Sequence, residues 1–128
     1  MSERLRRSQR LLAVQTKLNR LAEWSLIELQ SKIAVDENQQ RSLLSFISEQ
    51  STVNTIFYSM AIRKLQFTTE TLAITAKQLT AQKEYCLDAR RCLRSASRLA
   101  ADLEAKERQK DGLRELAELI EGALRRSS

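Results

Sequence analysis

A chain of 128 residues with no proline, two glycines and a net charge of +6 has too little turn punctuation for a domain of many short elements. The absence of histidine removes the usual general base, the usual zinc ligand and the base of a catalytic triad. No Gly-rich phosphate loop and no nucleophile motif occurs either, so the expectation is a non-enzymatic protein without cofactor or metal: a strut, stalk or adaptor.

The length suits one domain, residues 1–128. Hydrophobic residues make up 42% of the chain and aromatics only 5%, which fits a seam of Leu, Ile and Ala between long helices. Residues 1–30 carry +3 and residues 91–128 carry +2, whereas 31–60 carry −1. Arginine outnumbers lysine 15 to 7. Arginine favours bidentate contacts to carboxylates and phosphates, so basic ends point to an acidic partner surface.

The first helix is expected over residues 4 to about 49. Leu11, Val14, Leu18 and Leu21 step by three and four. Leu26, Leu29 and Ile33 resume after a phase slip, and the stripe continues through Asp36 and Gln40 to Leu43 and Ile47. Such a slip is a stutter, which locally unwinds a coiled coil. Asp36 and Gln40 weaken the seam and fix its register. Trp24, the sole tryptophan, is expected to pack beside the seam.

The arginines at the start (Arg4, Arg6, Arg7, Arg10) resemble the n-region of a signal peptide. The apolar stretch behind them, Leu11 to Val14, is too short for an h-region. The longest uncharged run, Gln50 to Ile62, is too short and polar to span a bilayer. The expected location is cytoplasmic.

Residues 50–55, Gln-Ser-Thr-Val-Asn-Thr, are the expected turn, because Ser, Thr and Asn cap helices and form side-chain turns. Phe57, Tyr58 and Phe67 follow it, expected to cap the apolar end of the hairpin, the alternative being a contact with a partner at its tip.

The second helix is expected over about 56–125. Leu65, Leu72, Leu79, Cys86, Leu93 and Ala100 repeat every seven residues, with Ala89, Ala96 and Leu103 on the companion stripe. That is left-handed coiled-coil spacing, and it runs in phase through Thr68–Thr71 despite their weak helix propensity. Cys86 and Cys92, six residues apart on one helix, lie on different faces and cannot bridge. Two unpaired cysteines fit a reducing compartment.

The fold expected is all-α: two long helices in an antiparallel coiled-coil hairpin. The second helix outruns the first, with an overhang from about Ala101 to Arg126. That overhang still carries Leu103, Leu113, Leu116, Ala117, Ile120 and Leu124. An apolar helix face without an intramolecular partner is expected to bind another molecule. Arg114, Arg125 and Arg126 flank it. Arg90, Arg91, Arg94 and Arg98 form a further basic run. The acids from Asp102 to Glu121 interleave the basic residues and argue against a phosphate-tracking stripe.

The basic leucine helix Arg4-Leu5-Arg6-Arg7-Ser8-Gln9-Arg10-Leu11 resembles the flagellar export protein FliJ. So does the second helix from Lys77 to Leu124, with its Glu-Arg-Gln-Lys-Asp-Gly-Leu-Arg-Glu-Leu stretch. FliJ and its virulence-system counterparts are central stalks of type III protein export. The resemblance implies a two-helix antiparallel coiled coil similar to the γ stalk of rotary ATPases. Such a stalk sits in the pore of the hexameric export ATPase and stimulates it. It contacts the cytoplasmic domain of the export gate at the inner membrane and in some systems escorts export chaperones. It binds no nucleotide itself. The partner-binding residues on this reading are Arg4, Arg6, Arg7, Arg10, Leu113, Arg114, Leu116, Ile120 and Leu124. The N-terminal half departs from the family pattern, being rich in Ser, Thr and Gln with few central charges. Two other readings stay open: a cytoplasmic coiled-coil scaffold or chaperone unrelated to secretion, and a helical nucleic-acid binder.

Overall fold

The computed structural model describes residues 2–49 and 55–127. It holds two helices, α1 (Glu3–Glu49) and α2 (Thr55–Ser127), paired antiparallel as a coiled-coil hairpin. The expected turn at 50–55 lies outside the described residues except for Thr55, which opens α2.

Local chemistry explains the helix ends. Ser2 caps α1: its Oγ accepts the Leu5 N–H at 3.2 Å and its carbonyl accepts the Arg6 N–H at 3.1 Å. Glu3 adds a negative charge to the first turn, where the helix dipole favours it. Arg125 and Arg126 occupy the last turn of α2, and Arg126 Nε donates to the Gly122 carbonyl at 3.3 Å. In the threonine-rich stretch two hydroxyls are satisfied by carbonyls of their own helix. Thr75 Oγ1 donates to Thr71 O at 2.9 Å and Thr80 Oγ1 to Ala76 O at 3.1 Å.

The chain divides into two compact units, Met1–Asn19 with Ala89–Ser128, and Arg20–Asp88. In unit 1, α1 turns Leu5 and Ser8 fully inward and Leu12, Gln15 and Asn19 partly so. α2 answers with buried Ala89, Ala96 and Ala100 and half-buried Leu93, Leu103 and Glu107. In unit 2, buried Ala22 and half-buried Leu26, Leu29, Ile33, Asp36, Gln40, Leu43 and Ile47 form the α1 side. The α2 side holds buried Ala61, Thr68, Thr75 and Cys86 and half-buried Leu65, Leu72, Leu79 and Gln82.

Most of the fully buried positions are therefore small. Small residues let two helix backbones approach toward the short end of the usual interaxial range, about 8–10 Å. The closeness is visible at Ala22, which is 2% exposed. Its main-chain oxygen accepts from Gln82 Nε2 at 3.0 Å and from the Cys86 thiol at 3.2 Å, both on the opposite helix. Gln40 Nε2 donates across to Thr69 Oγ1 at 3.2 Å. These directional bonds help set the register that apolar packing alone would leave free. Asp36 Oδ2 is enclosed with no hydrogen-bond partner among the described residues, a weak point at a seam position.

Several expectations are corrected. No stutter interrupts α1: the inward positions 5, 8, 12, 15, 19, 22 and 26 alternate steps of three and four without a slip. Leu11, Val14, Leu18 and Leu21 are not the seam but a stripe beside it, between 39% and 62% exposed. The seam there uses Ser8, Gln15, Asn19 and Ala22, which hydrophobicity alone does not mark. Trp24 does not pack beside the seam. It is 67% exposed and points outward, its Nε1 donating to Glu28 Oε1 at 2.7 Å. Phe57 and Phe67 are also exposed, because they fall off the stripe defined by Ala61, Leu65 and Thr68; Tyr58 stands on that stripe, three residues before Ala61, and is still 40% exposed. The overhang begins later than Ala101. Ala100, Leu103 and Glu107 still turn inward, and only from Arg108 on does the inward pattern stop.

Candidate docking surface

The free end of unit 1 follows from the unequal helices. α1 has 47 residues and α2 has 73. Pairing starts in the first turn of α1, where Leu5 is buried, so α2 runs past it. From Arg108 to Ser127 every residue but Gly122 is exposed. At a rise of 1.5 Å per residue this is about 30 Å of helix.

Within that segment the apolar residues do not continue the seam. Alternating steps of three and four carried on from Glu107 fall at Lys110, Arg114, Ala117, Glu121 and Leu124. Leu113, Leu116 and Ile120 lie on a neighbouring row, 60%, 53% and 52% exposed, with Leu119 beside them. A second helix on the same seam would therefore meet Lys110, Arg114 and Glu121 besides Ala117 and Leu124, and not Leu113, Leu116 or Ile120. Glu115 and Glu118 fall on the side away from this row, since two positions along a helix turn by about 200°, while Glu121 stands next to it on the continued seam line.

Of the expected site residues, Arg4 and Leu113 are brought together. They line one open groove of about 300 Å³ with Ser2, Lys106 and Lys110. The basic start of α1 thus meets the C-terminal part of α2, as an antiparallel hairpin requires. Arg6, Arg7 and Arg10 are exposed on the first turns of α1. Arg7 Nη2 lies 3.7 Å from Glu3 Oε1 with both side chains mostly in water, a contact worth well under about 1 kcal/mol. Leu116 and Ile120 share the row of Leu113. Arg114 and Leu124 sit on the continued seam line.

Two features were missed. One is a groove of about 560 Å³ on unit 1, where Leu12 and Thr16 face Arg90, Arg94 and Arg98. The other is the exposed row Leu11, Val14 and Leu18 with Leu99 on α2. Leu11 and Leu18 precede the seam residues Leu12 and Asn19, and Leu99 precedes Ala100, so the row shows only once the seams of both helices are known. In unit 2 a groove of about 650 Å³ lies between Ser25, Glu28 and Lys32 on α1 and Gln78, Ala81 and Tyr85 on α2. Cys86 and Cys92 are both free, the first buried and the second exposed. No described helix is long and apolar enough to cross a membrane.

No family model, no curated protein and no solved structure matches the chain.

Proposed function

We propose that this protein is a non-enzymatic central-stalk component of a type III export apparatus, as the FliJ-like resemblance implies. It binds and stimulates a hexameric export ATPase and contacts the cytoplasmic domain of the export gate, working at the cytoplasmic side of the inner membrane and handing on export chaperones where the system uses them. The observation that carries the reading is the end of unit 1, where a helix extends unpaired from Arg108 to Ser127 with Leu113, Leu116 and Ile120 in solvent. Such a row gains affinity only by entering a partner. Arg4, Lys106 and Lys110 stand at its base, placing positive charge where an acidic ring lining would meet it.

The test is capture of a hexameric export ATPase from the same source by the full chain, with the ATPase rate as a second readout. Binding with stimulation is expected. Neutralising Arg4, Arg6, Arg7 and Arg10 together is expected to weaken binding and flatten its salt dependence while leaving the helical circular-dichroism spectrum intact. No capture at low salt overturns the proposal.

A further inference from the structure

We propose that the end of unit 2 where α1 stops and α2 begins lies on an anionic lipid surface, with Phe57, Met60 and Phe67 in the headgroup layer and Arg63 and Lys64 reaching lipid phosphates. The inference does not rest on what the overhang of unit 1 binds.

The sequence sets this end apart. Four of the six aromatic residues, Phe46, Phe57, Tyr58 and Phe67, fall here, and residues 42–62 carry a single charge, Glu49. The helix then gathers the apolar residues and the next two cations on one side. Counted from Ile56 at about 100° per residue, Phe67 stands at about 20°, Met60 at about 40°, Lys64 at about 80° and Phe57 at about 100°, with Arg63 at about −20°. The inward residues Ala61 and Leu65 stand at about 140° and 180°. The six therefore share one outward sector of α2, about 16 Å long. Its apolar members, Ile56, Phe57, Met60 and Phe67, are between 59% and 70% exposed. Glu70, one turn past Phe67 and so further from the end of the unit, is the first acid at the sector's edge.

α1 adds Phe46 to the same flank. Ser25 and Lys32 immediately precede inward residues of α1, Gln78 and Tyr85 precede inward residues of α2, and these four line one groove. Phe46 precedes the inward Ile47 and Lys64 precedes the inward Leu65 in the same way. The Gln40–Thr69 hydrogen bond sets the level, and equal steps from it along the two antiparallel helices bring Phe46 opposite Arg63. Leu44, which follows the inward Leu43, is exposed on the other flank.

Two features select lipid as the occupant. The cations lie within the apolar sector: Arg63 and Lys64 line one open groove of about 530 Å³ with Met60, Ala61 and Phe67. Aliphatic stems laid along apolar surface carry such charges out to the level of lipid phosphates, and aromatic rings beside them make the composition of an interfacial helix. The apolar side chains also point to more than one side, Leu44 away from Phe46, and a fluid bilayer conforms to such an end where a protein groove takes one helix face. The Ser48 hydroxyl already donates to the Ser45 carbonyl at 2.9 Å, so it enters the headgroup layer satisfied. No described helix is long and apolar enough to cross a bilayer, so the contact is with the surface.

An introduced tryptophan reads the contact. The full chain with Trp24→Phe and Phe57→Trp is mixed with phosphatidylcholine–phosphatidylglycerol vesicles at about 0.1 M salt, where distant charges are screened. Its emission is expected to shift blue and to be quenched by brominated lipid, while Trp24 in the parent keeps its emission. Flotation is expected to show the parent bound to these vesicles and about tenfold more weakly to phosphatidylcholine alone. Met60→Ser with Phe67→Ser is expected to lower the affinity about tenfold or more, with an unchanged circular-dichroism spectrum because both residues are exposed. Arg63→Glu with Lys64→Glu is expected to do the same, whereas the charge-matched pair Arg6→Glu with Arg7→Glu is expected to leave it within about twofold. Glu49→Gln is expected to strengthen binding. No vesicle binding, equal losses for the two charge pairs, or an unshifted Phe57→Trp emission overturns the proposal. A blue shift that grows with protein concentration without vesicles assigns the patch to a second copy, and one produced by a leucine–glutamate helical peptide but not by vesicles assigns it to a protein; either overturns it too.

Discussion

The paired and unpaired stretches of α2 use similar residues to opposite ends. From Ala61 to Glu107 the inward line holds Ala, Thr, Cys and Leu with Gln82 and Glu107, and its fully buried members are all small. From Arg108 to Ser127 leucine and isoleucine are as regularly spaced, yet they stand in solvent. Hydrophobic periodicity marks an amphipathic helix in both places. What separates them is the position of the stripe on the heptad. In the paired stretch the stripe coincides with the line facing α1. In the unpaired stretch most of it, Leu113, Leu116 and Ile120, has rotated off that line, leaving Lys110, Arg114 and Glu121 among the residues a partner helix would meet. Apolar spacing thus identifies a helix face, while heptad phase and residue size identify which face the second helix takes.

The strongest way to break this contrast is to charge the paired line. Leu79 is half-buried on the inward line of unit 2. Leu79→Asp removes apolar burial and encloses a carboxylate, so it is expected to cost about 2–4 kcal/mol, read as a lower midpoint in urea unfolding. A melt like that of the parent would show that the sevenfold line is not the helix–helix contact. Next in size is Ala22→Leu. Ala22 meets the opposite helix so closely that its carbonyl accepts two cross-helix bonds. A larger side chain must push the helices apart, at a cost of about 1–3 kcal/mol. An unchanged melting temperature would mean that the close approach is dispensable.

Asp36→Leu sharpens the contrast with the opposite sign. The Asp36 Oδ2 atom is enclosed without a hydrogen-bond partner, so replacing the side chain by an apolar one is expected to stabilise by about 1–2 kcal/mol. The gain should come with looser register, because fewer polar positions then distinguish one pairing from its slipped alternatives. Calorimetry and cross-linking between introduced cysteines would read the two effects separately. A stability loss would place a compensating partner at Asp36.

Much of this architecture is legible in the chain. The absence of proline and the leucine repeat from Leu65 to Ala100 define both the helices and the α2 seam, because coiled-coil packing imposes a seven-residue period on whatever faces the partner. The N-terminal part of α1 was misread for an identifiable reason. Ser8, Gln15 and Asn19 carry the seam, while Leu11, Val14 and Leu18 carry the hydrophobicity. A reader weighing apolar residues follows the wrong stripe and must invent a stutter to rejoin Leu26. The exposed flank became visible only when pairing placed Leu11 on the same side as Leu99. No property of either segment alone encodes that juxtaposition. The overhang was legible from the unequal helix lengths, but its starting point depended on how early α1 engages, which the buried Leu5 decides.

The smallest expected effect on stability is also the most discriminating. Leu116 and Ile120 lie on the unpaired stretch, more than half exposed, and neither stands on the continued seam line. Replacing both by alanine removes little buried area and introduces a better helix former, so the change in global stability is expected to stay within about 0.5 kcal/mol. If the row is a docking face, the same double variant loses much of the binding and stimulation of an export ATPase, because truncating central apolar contacts of an interface is where affinity is lost. The contrast with Leu79→Asp is then complete: one change destabilises the hairpin, the other leaves it stable and silent. A large fall in melting temperature with binding retained would mean that the Leu113–Leu116–Ile120 row is packed within the molecule. Stability and binding both unchanged would remove the row as a contact and leave the basic base of the groove, around Arg4 and Lys106, to carry recognition.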